Sequence, residues 1–273
     1  MRNDVIAAAV DAVTAAVLDA LQRGDRPTAD ALRLLLRAYA ATGRDDVRDA
    51  IEPALGHTLE IASDTSSADA AGWLVLFAEA ADASEDPRLR EAAADLAAKV
   101  RMNWNGAQPI AVAAESVDAY LRALPVFPDA PAQAPIDELE RVVAVAYEPG
   151  SGIAEGLEPE LRVSSALLTA FALTERLPYA MLAEELLIHA RDALLGSAAF
   201  QFSTACAAAS ALARMAALHQ LEAYQTAAVI APGADYGADA AALLERIAPE
   251  ASSHGIAAAP YGLAAGELQS AFR

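Results

Sequence analysis

The sequence predicts a mostly α-helical protein built from repeated αα-hairpins, with a small α/β appendage at its C-terminal end. Alanine, the residue with the highest helix propensity, accounts for 73 of the 273 residues, whereas Gly and Pro number 14 each. Apolar residues recur at helical spacing, in segments separated by the Gly, Pro and Asp residues that commonly end or begin helices. In addition, Leu35–Arg44 matches Leu167–Arg176 without a gap. Such repetition is typical of stacked helical hairpins.

Five helices are predicted in the first hundred residues. The first ends at Gly24, and the second begins near Pro27, because Pro is favoured in the first turn of a helix. Gly43 ends the second helix, and the third is expected to bend or break at Pro53, since Pro cannot donate the helical hydrogen bond. These predicted helices cover residues 4–23, 27–43, 45–61, 66–81 and 86–100.

Further helices are predicted at residues 109–124, 136–146, 161–176, 178–195 and 200–220. A Pro-rich stretch at 125–135 and a stretch rich in Gly, Glu and Pro at 147–159 are expected to be loops. Each hairpin exposes two apolar faces, so three or more hairpins must stack to bury them. We therefore expect about 65% helix or more. The pairs at 29–62, 67–101 and 162–195 should share one antiparallel geometry.

The C-terminal segment has a different pattern. Gln225–Ala231 is a short apolar run that ends at a Pro-Gly pair, and Tyr236–Ile247 has helical periodicity. His254–Pro260 is a weaker strand candidate, and a short helix to Phe272 follows it. This order predicts a βαβ-like unit. The expected division is a hairpin domain at 1–222 and a small βαβ-like segment at 223–273 that packs on it.

Composition excludes several classes of protein. The net charge of −19 disfavours attraction to nucleic-acid phosphates and to anionic lipid. The longest apolar runs are far shorter than the roughly 20 residues that span a bilayer, and acidic residues interrupt the N-terminal apolar stretch that a signal peptide would need. The single cysteine, Cys206, cannot form an intrachain disulfide and is expected to be a packed apolar residue. We expect a cytoplasmic protein that has no cofactor and binds neither membranes nor nucleic acids.

The repeated hairpins, with Ala38–Gly43 and Ala50 in one copy and Ala170–Thr174 and Ala183 in another, resemble the (α/α) toroid superfamily. That superfamily includes six-hairpin glycosidases and N-acylglucosamine 2-epimerases. The order of segments near the C-terminus is most similar to the C-terminal part of the thioredoxin-fused, spermatogenesis-associated family. The resemblance implies a complete or partial (α/α) toroid, although the chain has no Cys-x-x-Cys motif.

Two loop segments contain the candidate site residues. Glu148 and Glu155 are the candidate catalytic carboxylates, since glycoside hydrolysis uses a pair of acids. Trp104 either stacks on a ligand or anchors the next hairpin, while Asn103, Asn105 and Tyr147 could bind it through hydrogen bonds. This mixture suits a neutral polyol or sugar, because an acidic rim repels anions.

Two functions are consistent with these features. The first is a non-catalytic or degenerate toroid that binds an unknown small neutral ligand or a protein partner. The alternative is a carbohydrate-active enzyme, either a glycoside hydrolase or a sugar epimerase, that uses the loop carboxylates. The low aromatic content of 5% favours the first.

The two histidines His57 and His189 occupy equivalent positions in the repeat. Equivalent positions predict a shared packing role, so both side chains are expected to be largely buried. No His-Glu-x-x-His spacing occurs in the chain, and no metal site is predicted. Trp73 is expected in the core because it lies in an apolar helix.

Overall fold

Helices account for 80% of the structure, a computed structural model that describes residues 2–62, 65–66, 69–84, 86–127, 129–197 and 200–272. The mostly α prediction and the expected helix content are confirmed. Residues 67 and 68, at the predicted start of the second hairpin, lie outside the described residues. The helices are α1 (Arg2–Gln22), α2 (Ala29–Thr42), α3 (Asp45–Ile61), α4 (Ala70–Ala83), α5 (Pro87–Arg101), α6 (Ile110–Ala123), α7 (Gln133–Ala146), α8 (Leu157–Thr174), α9 (Leu177–Gly196), α10 (Phe202–His219), α11 (Glu222–Ala227), α12 (Tyr236–Ala251) and α13 (Ala259–Ser270).

Side-chain caps explain several helix starts. Thr28 accepts a hydrogen bond from the Ala31 N–H and begins α2, and Asp235 does the same for the Ala238 N–H in α12. Asp86 accepts from the Arg88 N–H before Pro87 begins α5. The third helix continues through Pro53, so the predicted break is absent.

The predicted repeat has a structural counterpart at the turn that ends α2 and α8. Gly43 and Glu175 both adopt the left-handed conformation, with φ of 64° and 56°. The N–H of Gly43 donates to the carbonyl of Tyr39, and the N–H of Glu175 donates to that of Phe171, each at 2.7 Å. The ten-residue match therefore encodes the same helix end in both copies.

The chain forms two compact units, each drawn from separate stretches of sequence. The first unit comprises residues 1–60, 194–220 and 234–273, and the second comprises 61–193 and 221–233. The predicted boundary at residue 222 stays a prediction.

In the second unit, α8 runs antiparallel to α9, because Glu160 near the start of α8 contacts His189 in the second half of α9, and two pairs of alternate helices are parallel. Helix α6 packs on both α4 and α8. Glu115 and Asp118 of α6 contact Arg162 and Ser165 of α8, each at 3.0 Å, so these two helices run in the same direction. Two hydrogen bonds show the same relationship for α7 and α9, because Glu140 of α7 accepts from Tyr179, and Glu185 of α9 accepts from Tyr147, the residue that follows α7. This is the order that a stack of hairpins produces.

In the first unit, α13 packs against α1, α2, α10 and α12. Helices α2 and α13 approach closely at Gly262, where a Cβ would collide with the Leu34 side chain. His219 lies edge-on to the buried Tyr236, and at the surface the exposed His254 stacks on Phe202 with 4.0 Å between centroids. Cys206 is buried, as predicted, and burial raises the pKa of its thiol to about 12.

The predicted α/β appendage at the C-terminus is wrong. Among the described residues, strands occur only at β1 (Tyr147–Glu148) and β2 (Gly152–Ile153). The first predicted strand, 225–231, begins within α11, and the second, 254–260, falls in a 3₁₀ segment (Ser252–Ala258) and α13. Alanine-rich runs favour helix over strand.

A side chain from α9 supplies a further reason at the first of these segments. Glu184, which is fully buried, accepts hydrogen bonds from the Ile230 and Ala231 N–H groups and from the Tyr224 hydroxyl. The backbone donors that a strand would have offered to a neighbouring strand are therefore bound by a carboxylate.

Candidate functional site

A short β-hairpin joins α7 to α8 in the second unit. Strands β1 and β2 pair antiparallel, with Tyr147 opposite Ile153 and Glu148 opposite Gly152. Gly150 and Gly152 adopt positive φ values of 77° and 83°, which residues with a side chain rarely adopt. We call residues 147–153 the 147–153 hairpin.

A buried carboxylate lies beneath this hairpin. Glu160, in the first turn of α8, is only 1% exposed. Its Oε2 accepts a hydrogen bond from the Ile153 N–H at 3.2 Å, and its Oε1 lies 2.7 Å from Nδ1 of His189 on α9. The imidazole side chain is 59% exposed. The Glu160–His189 pair thus joins a carboxylate in the protein interior to an imidazole at the surface.

Gly152 packs directly on the Glu160–His189 pair. A Cβ at this position would overlap the Glu160 Oε2 and would lie 3.2 Å from the His189 Nδ1. The absence of a side chain at Gly152 therefore allows the hairpin backbone to approach the carboxylate closely enough to donate from Ile153.

A second pair anchors the beginning of the hairpin. The Tyr147 hydroxyl donates to the Glu185 Oε1 at 2.7 Å, one helical turn before His189 on α9. This hydrogen bond raises the pKa of the Tyr147 phenol, and burial raises it further. The hairpin is consequently fixed to α9 at Tyr147 and to α8 at Ile153.

The predicted carboxylates lie on the exposed parts of this region. Glu148 and Glu155 are both exposed. Glu155 has a positive φ of 75°, which is uncommon for a residue with a side chain. The predicted ligand residue Tyr147 is bound to Glu185 within the protein.

The other predicted loop is held together by its own amides. Asn103 is buried. Asn105 donates through Nδ2 to the Met102 carbonyl at 3.0 Å and accepts through Oδ1 from the Ala107 N–H at 2.9 Å. These bonds fix the backbone between α5 and α6.

Trp104 contacts the next helix. Its Nε1 donates to the Ser116 hydroxyl at 3.1 Å, and its ring meets that of Tyr120 edge-on, with 5.1 Å between centroids. Both partners lie on α6, so the indole contacts the next helical hairpin. Anchoring that hairpin is one of the two roles predicted for Trp104. Trp73 is half-buried and stacks on Phe77.

The expectation that His57 and His189 are both buried is wrong. The His57 side chain is 63% exposed, and the carboxylate of Glu60, which is also exposed, lies 4.0 Å from its Nδ1. The two histidines have different partners. The position equivalent to Glu160 in the repeat of His57 is occupied by Thr28, which caps α2. The repeat preserves the histidine and changes its partner.

Sequence reasoning missed Glu160 altogether. It lies 29 residues before His189, so no local motif links them. The short turn at Glu175 and Arg176 could have indicated this pair, because Glu160 and His189 lie at similar sequence distances before and after it. Antiparallel helices joined by a short turn bring such residues together.

In the described ranges, no group of three or more His, Cys, Asp or Glu residues could hold a metal ion. No helix in the same part of the chain combines the length and apolar character required to cross a bilayer.

The chain matches no protein-family model, no curated protein and no solved structure. Its likeness to the toroid superfamily therefore remains a resemblance between sequence patterns, and function is argued from the residues of the site.

Proposed function

We propose that this protein is a binding domain made of stacked helical hairpins, which recognises a protein partner through the exposed face of the 147–153 hairpin and the adjacent Glu155. The supporting observation is that two side chains predicted to bind a ligand form hydrogen bonds within the protein instead. Tyr147 is bound to Glu185, and Trp104 is bound to Ser116. Groups fixed in this way hold a preformed surface, which lowers the entropy lost on binding.

The geometry gives less support to the carbohydrate-active enzyme. A glycosidase needs one carboxylic acid in an environment that keeps it protonated, facing a second carboxylate across the substrate. Glu148 and Glu155 are both exposed to solvent. A sugar-stacking platform is also less accessible, because the Trp104 ring packs on Tyr120 and Arg101 lies over it.

We also propose that the hairpins are of the (α/α) toroid type. The parallel relationship of α6 with α8, and of α7 with α9, supports this assignment. The partner surface would be basic, because the chain carries 38 acidic residues against 19 Lys and Arg. A cytoplasmic location is consistent with the single buried thiol of Cys206.

Fluorescence anisotropy with a labelled lysine-rich peptide tests this function. We compare the double variant Glu148→Gln/Glu155→Gln with Glu52→Gln/Glu250→Gln, which changes the net charge equally at other exposed positions. Saturable binding that is weakened by Glu148→Gln/Glu155→Gln (the loop variant) and not by the control variant supports the proposal. Equal affinities in the two variants would contradict it, as would turnover of a p-nitrophenyl glycoside that the loop variant abolishes.

A further inference from the structure

His189 differs from the other histidines in its carboxylate partner. A carboxylate accepts hydrogen bonds, so the Nδ1 of His189 keeps its proton and donates a hydrogen bond to Glu160. In the neutral imidazole, Nε2 then has the lone pair. Among the described residues, Nδ1 is the ring nitrogen that has a hydrogen-bond partner, and more than half of the side chain is exposed.

The fixed tautomer depends on the rigidity of Glu160. This carboxylate is held from a second direction by the Ile153 N–H and is covered by the backbone of Gly152. Its charge can stabilise an imidazolium that forms when Nε2 takes a proton, as carboxylates do for catalytic histidines in general. His57 has a similar exposure, but the carboxylate beside it, that of Glu60, is exposed and lies 4.0 Å away.

We propose that the Glu160–His189 pair is a general-base site, in which His189 is the base and Glu160 is the positioning residue. The substrate class is a small uncharged or cationic carboxylic ester. Anionic substrates are disfavoured, because Glu185 lies one turn away on α9 and Glu148 pairs with Gly152 on the hairpin. This activity goes beyond the proposed function, which concerns the binding of a partner.

The reaction is the hydrolysis of the ester by water. The Nε2 of His189 takes one proton from a water molecule while the water oxygen bonds to the ester carbonyl carbon. Collapse of the tetrahedral intermediate breaks the bond to the leaving oxygen, which departs with the electron pair. The imidazolium then returns its proton to the leaving group or to solvent, so one ester and one water give one acid and one alcohol.

This chain allows an unusually clear assay with p-nitrophenyl acetate, because few other groups compete. It contains a single lysine, Lys99, whose ammonium donates to the carbonyls of Ala62 and Thr65. Its single thiol, that of Cys206, is buried. His219 is half-buried against Tyr236, whereas His254 is exposed and stacks on Phe202, so His254→Gln serves as a second control.

We expect His189→Gln to lower the second-order rate constant for p-nitrophenyl acetate by about tenfold or more, within the range typical of a positioned base. The matched control His57→Gln should keep the rate of the unmodified protein. Glu160→Gln should lower the rate, and Glu160→Asp should restore part of it, because the shorter carboxylate can still accept a hydrogen bond from the imidazole. Equal rates in the amide and carboxylate variants would contradict a positioning role for Glu160. An unchanged rate in His189→Gln would overturn the proposal.

A second measurement on the unmodified protein guards against misfolded variants. Diethyl pyrocarbonate labelling above pH 8, where imidazoles are neutral, is followed at each histidine by mass spectrometry. We expect faster labelling of His189 than of His57, and equal rates at the two would overturn the proposal. Ester hydrolysis and peptide binding are separate readouts, so failure of one leaves the other result intact.

Discussion

Gly152 lies against Glu160 with no room for a side chain between the hairpin backbone and the buried carboxylate. Two properties of glycine are used together here, the positive φ of 83° and the close approach. Gly150, two residues earlier, has a similar φ of 77° and nothing near its missing Cβ. A comparison of substitutions at the two positions therefore separates the cost of the positive φ from the cost of the steric overlap with Glu160.

Replacement of Gly152 by Ala is expected to destabilise the protein by about 2–4 kcal/mol. About 1 kcal/mol comes from the left-handed backbone, and the rest comes from displacement of a buried hydrogen-bonded carboxylate. The matched change Gly150→Ala should lower the free energy of unfolding by only about 1 kcal/mol. Urea denaturation of both variants gives the comparison, and equal losses would show that the contact with Glu160 has no energetic weight.

Two fully buried tyrosines should respond oppositely to removal of the hydroxyl. Tyr224 donates to the buried Glu184, whereas the Tyr261 hydroxyl has no hydrogen-bond partner among the described residues. Tyr224→Phe should lower the free energy of unfolding by about 1.5–3 kcal/mol, since the bond is to a charged group. Tyr261→Phe should be neutral or stabilising by about 1 kcal/mol. A clear loss of stability in Tyr261→Phe would reveal a bound water or another partner.

Alkaline pH should lower the stability of this protein over a defined window. Burial raises the pKa of Tyr261 to about 12, and burial followed by the hydrogen bond to Glu140 raises that of Tyr179. A phenol whose pKa is higher in the folded state stabilises the fold while it is protonated. This contribution is complete below the unfolded value of about 10 and is lost as pH rises toward about 12.

Denaturation curves at several pH values measure this loss directly. We expect the free energy of unfolding to decline over that window, and Tyr261→Phe should decline less steeply. Tyrosinate absorbance provides the independent check, because the latest titration step should disappear in the same variant. A variant that retains the late step would assign it to another tyrosine.

The repeated turn provides a stabilising substitution. Glu175 occupies the left-handed position that Gly43 occupies in the equivalent copy. Glu175→Gly should raise the free energy of unfolding by about 0.5–1 kcal/mol, because glycine adopts this conformation without strain. The reciprocal change, Gly43→Ala, should lower it by a similar amount. Thermal melts of both variants test the pair, and a loss of stability in Glu175→Gly would mean that the side chain has an important contact.

Sequence patterns predicted local structure better than they predicted the site. The match between Leu35–Arg44 and Leu167–Arg176 correctly indicated a common helix end, since a helix terminus depends on neighbouring residues. The same match misled at both histidines, whose side chains are exposed, and it did not reveal that only His189 has Glu160 beside it, because that contact joins residues 29 positions apart. The C-terminal strands failed for a related reason. The segment at 225–231 is organised by Glu184, about 40 residues away, and no local propensity contains that information.

Helix α13 contacts both α1 and α2, so elements from opposite ends of the sequence meet within the first unit. Contacts between such distant residues require closure of a very long loop, and they slow folding because the entropy is lost before the contacts form. The second unit, by contrast, draws most of its residues from one continuous stretch, 61–193. We therefore expect the second unit to complete its contacts once residue 233 has been synthesised, before α13 is available to the first unit.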